Sequence, residues 1–127
     1  MNMKELIIEK TAKTPYINFN SKTGILRIEG RSIPENPEEF YSELMNWVDG
    51  YFEQPLNETK VNIQLEYINS GSSKFILELF QKLQDYNNKG KKCSIDWYYE
   101  EDDEAVLELG KHYQSILEIP FHLIEIY

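Results

Sequence analysis

Three serines, a glycine and a lysine are grouped in the segment Asn69–Lys74, which is the part of the sequence best suited to chemistry. The segment follows an apolar run, Val61–Ile68, that alternates like a strand, and it precedes a helical pattern that extends to about Asn88. A phosphate on one of these hydroxyls would meet the unpaired amides and the positive dipole end of that helix. The same residues also suit simple capping, with Ser72 or Ser73 as the cap, and the residue types alone favour that account. The segment is therefore either a modification site or a capped turn.

Five consecutive acidic residues, Glu100–Glu104, raise the alternative of a small metal-dependent enzyme. The run lacks the alternating spacing and the glycine of a calcium loop. Carboxylates at the start of a helix also cap free amides and complement the helix dipole, which accounts for the run without a metal. The sequence therefore predicts no metal site at this position.

The remaining residues with catalytic or ligating potential form no recognisable pattern. His112 and His122 have no cysteine or histidine at ligand spacing, so a zinc site is not predicted. The six glycines make no phosphate-binding fingerprint, and there is no nucleophile elbow. The single cysteine, Cys93, fits a buried structural thiol. We expect a protein that is not an enzyme, with no cofactor and no catalytic residue.

The acidic composition restricts the partners of the chain. Its 22 acidic and 13 basic residues give a formal net charge of −9, which repels nucleic-acid backbones and anionic lipid. No apolar run approaches the ~18–20 residues of a membrane span, and the charged N-terminus does not resemble a signal peptide. The length of 127 residues fits one domain, residues 1–127. We expect a cytoplasmic protein that binds neither nucleic acid nor membrane.

Alternating strand and helix patterns predict the elements that position Asn69–Lys74. Strands are expected at Glu5–Glu9, Tyr16–Asn20, Gly24–Glu29, Val61–Ile68, Cys93–Tyr99 and Phe121–Ile126, and helices begin at Pro37, at Ser72 or Ser73, and at Glu104. This order predicts an α/β layered sandwich with a mixed, partly parallel sheet of about five to six strands and about three helices. On the second helix, Leu77 falls among polar residues, so we expect it to be exposed.

The order of these elements and the serine-rich junction resemble the STAS-type fold of anti-sigma-factor antagonists. The chain is more closely similar to the SiaC family of bacterial regulatory phosphoproteins, over nearly its whole length from about Tyr16. The residues that carry this resemblance are Pro34-Glu35-Asn36, Trp47-Val48, Tyr67-Ile68-Asn69-Ser70, Ser72, Lys74, Trp97, Tyr99 and Pro120-Phe121.

The resemblance implies a partner switch controlled by phosphorylation. A cognate serine/threonine kinase modifies a hydroxyl at the junction, a metal-dependent protein phosphatase removes the phosphate, and the unmodified form binds and activates a diguanylate cyclase in cyclic-di-GMP and biofilm signalling. The implied phosphoacceptor is Ser70. The family has a threonine followed by serines here, so the Ser70-Gly71 departure leaves Ser72 and Ser73 as alternatives.

The resemblance also implies roles for the neighbours of Ser70. Asn69 and Gly71 shape the turn, Lys74 influences the phosphate or the partner, and Leu77 contributes to the docking face. An adaptor of the anti-sigma-factor-antagonist type, which binds another regulatory partner, is the alternative within the same fold.

Overall fold

Six strands form one mixed sheet in the computed structural model, which describes residues 4–127. The strands are β1 (Leu6–Ile8), β2 (Tyr16–Asn20), β3 (Ile25–Ser32), β4 (Thr59–Ile68), β5 (Cys93–Glu100) and β6 (Phe121–Ile126), and the helices are α1 (Pro37–Tyr51), α2 (Ser70–Asn88) and α3 (Glu104–Ile116). The spatial order of the strands follows the chain from β1 to β6. The pairs β1–β2 and β2–β3 are antiparallel, whereas β3–β4, β4–β5 and β5–β6 are parallel. The predicted α/β class, the mixed sheet and the helices are confirmed.

Each helix connects two neighbouring parallel strands, and this places the three helices on one face of the sheet. Right-handed crossovers that always step in the same direction along a sheet return to the same side. The strands show the matching alternation: in β3, Leu26 and Ile28 are buried, while Ile25 and Arg27 face the solvent. The core therefore lies between the sheet and a single helical layer, and the carboxyl ends of the parallel strands lead into the starts of the helices.

The first helix begins as the sequence predicts. Asn36 caps it by accepting from the Glu39 amide at 3.2 Å, and the Asn36 side-chain amide donates to the Glu39 carboxylate. Its inward stripe of Leu44, Trp47, Val48 and Tyr51 is buried. Beside this stripe, Phe40 is half-buried, while Tyr41 is fully buried with its hydroxyl bonded to Ser32.

An ion pair joins α1 to α2 near the carboxyl ends of both helices. Asp49 accepts from Lys82 Nζ at 3.1 Å and from Tyr86 Oη at 2.6 Å. Burial opposes ionisation of this carboxyl, but the hydrogen bonds from Tyr86 and Lys82 outweigh it and hold the pKa below the usual 3.8. Burial, together with the Asp49 carboxylate, raises the pKa of Tyr86 to about 12. The pair fixes α2 relative to α1.

No helix within residues 4–127 combines the length and the apolar character that crossing a membrane requires.

Candidate functional site

The start of α2 lies at the carboxyl end of the central strand β4. Sequence reasoning placed the helix cap at Ser72 or Ser73, and the structure corrects this: α2 begins at Ser70 and its cap is Asn69. Asn69 follows the last residue of β4, and its backbone amide donates to the Ser32 carbonyl of β3 at 3.3 Å. Asn69 is held in an extended conformation at the carboxyl end of β4, so its side chain can cap the first turn. The helix therefore begins at the next residue.

The backbone amides of this first turn are only partly satisfied. The Oδ1 of Asn69 accepts from the Ser72 amide at 2.8 Å, and the Asn69 carbonyl accepts from the Ser73 amide at 3.0 Å. Within residues 4–127, the amides of Ser70 and Gly71 find no acceptor. The first turn also has no acidic residue, unlike those of α1 and α3. Two amide donors and an uncompensated helix dipole are therefore available to an anion at this end of α2.

The three candidate hydroxyls have different environments. Ser70 is exposed at the first helical position. Ser72 is fully buried, and its hydroxyl oxygen has no hydrogen-bond partner among the described residues. Ser73 is half-buried, and its hydroxyl donates to the Ser70 carbonyl at 2.9 Å. Only Ser70 therefore presents its hydroxyl to the solvent without an intramolecular role for that group in the described chain.

Gly71 and Lys74 complete the exposed surface of this turn. Gly71 is a regular helical residue, so the structure places it inside α2 instead of in a preceding turn. A Cβ built on it meets Asn69 Oδ1 at 3.8 Å and Pro37 Cγ at 3.9 Å, which are ordinary contacts. Lys74 is exposed one helical turn after Ser70, and side chains four residues apart are neighbours on a helix surface. Its ammonium group can therefore approach a charge carried by Ser70.

Leu77 differs from the expectation that it is exposed. It is half-buried and packs against the core, because the inward stripe of α2 is wider than its polar neighbours suggested. A contribution of Leu77 to docking therefore remains a prediction that this burial weakens.

Two residues that sequence reasoning did not connect with the site hold the first turn of α2 in place. The Tyr113 hydroxyl, from α3, donates to the Ser73 carbonyl at 2.8 Å, and Ser32 provides the carbonyl that receives the Asn69 amide. The Tyr113 ring packs edge-on against Phe80 at 5.4 Å. No local sequence pattern links Tyr113 to Ser73, because the two residues are 40 positions apart.

The acidic run serves the third helix in the structure. Asp103 caps α3 by accepting from the Val106 amide at 3.1 Å, and Glu104 occupies its first turn. Among residues 4–127, no group of three or more histidine, cysteine, aspartate or glutamate side chains is placed to hold a metal ion.

The other residues with potential chemistry lie apart from α2. Cys93 is buried, and burial raises the pKa of its thiol to about 12. His122 Nδ1 lies 2.9 Å from Asp96 Oδ1 on the face of the sheet that the helices leave open. His112 is exposed on α3.

Comparison with known proteins gives consistent matches over almost the whole chain. The model of the SiaC family, described as regulatory phosphoproteins, matches residues 8–126. An uncharacterized protein of Pseudomonas aeruginosa (strain UCBPP-PA14) is 28% identical over 119 residues, which cover 94% of each chain.

Solved structures from Pseudomonas aeruginosa share the fold. The crystal structure of apo-SiaC is similar with a TM-score of 0.88 at 27% identity, covering 96% of this chain and 99% of that one. A chain in the crystal structure of the diguanylate cyclase SiaD in complex with its activator SiaC is similar with a TM-score of 0.90 at 26% identity, covering 95% and 99%.

Proposed function

The chain belongs to the SiaC family of regulatory phosphoproteins, and from this premise we propose that it is a non-enzymatic partner switch whose unphosphorylated form binds and activates a diguanylate cyclase. The observation that carries the proposal is its similarity, over 95% of its length, to a chain of the complex between the cyclase SiaD and its activator SiaC. The protein would act as a single cytoplasmic domain in cyclic-di-GMP signalling. This similarity favours a cyclase over the partner of an anti-sigma-factor antagonist, since the latter rests on a shared fold alone.

Ser70 is the phosphoacceptor in this proposal. Its exposure supports the assignment, whereas the full burial of Ser72 and the hydrogen bond from Ser73 to the Ser70 carbonyl count against those two alternatives. The two free amides of the first turn and Lys74 would receive the phosphate. A serine/threonine kinase would add this group and a metal-dependent phosphatase would remove it.

Phosphorylation would act on the partner surface and leave the fold of the domain intact. A phosphate adds about −1.5 to −2 charges at the positive end of α2, where the helix dipole favours it. The same charge must be desolvated when a partner covers this turn, and desolvating an ion costs on the order of several kcal/mol even when the ion is paired. Binding therefore weakens while the domain stays folded.

Replacement of Ser70 tests the switch. Ser70→Ala should bind the host's diguanylate cyclase as the unmodified protein does and should activate cyclic-di-GMP synthesis equally. Ser70→Asp should weaken binding by about tenfold or more in calorimetry. Ser42→Asp, on the exposed face of α1, is a control for added charge and should bind normally.

Two results would contradict the proposal. One is equal binding by Ser70→Asp and Ser70→Ala, and the other is an equal loss in Ser42→Asp. Phosphosite mass spectrometry on protein from the native host then assigns the modified hydroxyl directly.

A further inference from the structure

A groove of about 310 Å³ opens between the first turns of α2 and α3, beside Ser70. Its apolar lining comes from the end of β4 and from α3 and includes Ile68, Val106 and Leu109. Ser70 and Ser73 line it from the side of α2. The groove thus places an apolar surface directly next to the proposed phosphoacceptor.

The rim of the groove is acidic. Of the described residues that line it, Glu66 and Asp103 are acidic and none is basic. Asp103 is flanked in the sequence by three further exposed carboxylates, those of Glu101, Asp102 and Glu104. An apolar centre with a charged rim has the composition of a small protein interface, and this rim complements positive charge.

Hydrogen bonds to the backbone fix both walls. Tyr113 holds the α2 wall through the Ser73 carbonyl, and its ring is buried against Phe80 and Trp97. Asp103 holds the α3 wall through the Val106 amide. A groove with fixed walls needs little ordering when it is filled, which favours binding.

We propose that this groove receives an apolar side chain from a partner segment that carries lysine or arginine next to it. The inference deepens the proposed function, because a phosphate on Ser70 would stand at the groove and would have to be desolvated by the incoming side chain. The free amides of α2 and Lys74 lie on the same side as that phosphate and pair with it, so the partner's basic residues gain little from it. The phosphorylated groove is therefore closed to the segment.

The test titrates the intact chain with a synthetic amphipathic helical peptide of leucine and lysine. Binding is followed by the backbone amide chemical shifts of the chain. The lysine peptide should shift the residues that line the groove. The same peptide with glutamate in place of lysine should not bind. Ala105→Trp fills the groove from an exposed position on α3 and should weaken the lysine peptide about tenfold, whereas Ser115→Trp, exposed in the last turn of α3, should not.

A second pair of variants tests the rim. Glu101→Lys with Asp102→Lys should weaken the lysine peptide. Glu53→Lys with Glu58→Lys changes the net charge equally in the loop before the amino end of β4, away from the groove, and should leave binding unchanged.

Several outcomes overturn the inference: shifts confined to the open face of the sheet, equal binding of the glutamate peptide, or equal effects within either pair of variants. The outcome for Ser70→Asp separates the two proposals. If the peptide binds in the groove of Ser70→Asp with full affinity, the proposed control by phosphorylation is wrong, while the groove remains supported as the binding site. If Ser70→Asp blocks the cyclase while the peptide binds elsewhere, the groove fails and the switch stands.

Discussion

Removal of the Asn69 side chain should lower the free energy of unfolding by more than the loss of an exposed helix cap does. In Asn69→Ala, the Ser72 amide loses its acceptor at 2.8 Å, while the backbone bond from Asn69 to Ser32 remains. Loss of a cap costs about 0.5–2 kcal/mol. Ser72 is fully buried, so water cannot easily replace the lost acceptor, and we expect the upper end of the range, about 1.5–2 kcal/mol.

The caps of the other two helices provide matched controls. Asn36 caps α1 at an exposed position, where water can replace its oxygen, so Asn36→Ala should cost only about 0.5–1 kcal/mol. Asp103→Ala on α3 should resemble Asn69→Ala, because both cap bonds are partly buried and their donors, Ser72 and Val106, are both buried residues. Urea denaturation measures the three free energies of unfolding, and the Asn69 variant should also lower the melting temperature by roughly 6–7 °C.

Native-state hydrogen exchange locates the effect. The amides of Ser72 and Ser73 should lose protection in Asn69→Ala, while those in the middle of α2 change only as far as global stability changes. A cost for Asn69→Ala no larger than that for Asn36→Ala would refute the argument from burial. Uniform loss of protection along α2 would refute the local role of the cap.

Four further predictions concern the described core and the helix contacts. Ser72→Ala should keep or raise stability, because it removes a buried hydroxyl without a partner, and denaturation measures this. Gly110→Ala should destabilise by about 1–3 kcal/mol despite better helix propensity, because a Cβ there would lie 2.5 Å from the fully buried Trp97 ring; the same assay decides. The Cys93 thiol should react with iodoacetamide only as fast as the protein unfolds, since its pKa is about 12. The Asp49 carboxylate, whose folded pKa is depressed, stabilises above its unfolded pKa of 3.8, and this contribution should disappear as pH falls below about 4, whereas Asp49→Asn should lack that part of the acid dependence.

Most of the fold could be predicted from local patterns. The β2 and β6 bounds and the start of α1 at Pro37 agree with the sequence, because alternation, capping and proline act within a few residues. The parallel pairing of β4 and β5 also follows from the helix between them.

The start of α2 was missed because several residues in this segment can cap a helix. Asn69 and the serines that follow are all good caps, and sequence alone does not show that the Ser32 carbonyl of β3 holds Asn69 at the sheet edge. A signal for the burial of Ser72 was present. Ser72 lies four residues before Ile76, on the inward stripe of the helix, once the helix is known to begin at Ser70.

By itself, the sequence determined that a strand is followed by a helix around Asn69–Lys74 and that this segment carries the hydroxyls suited to modification, because these properties depend on neighbours along the chain. Only the tertiary structure decided which hydroxyl faces outward. Ser70 and Ser72 are about 200° apart around the helix axis, so the packing of α2 on the sheet exposes one and buries the other. The groove beside Ser70 is also a tertiary feature, since its walls come from β4, α2 and α3 and meet only in the folded chain.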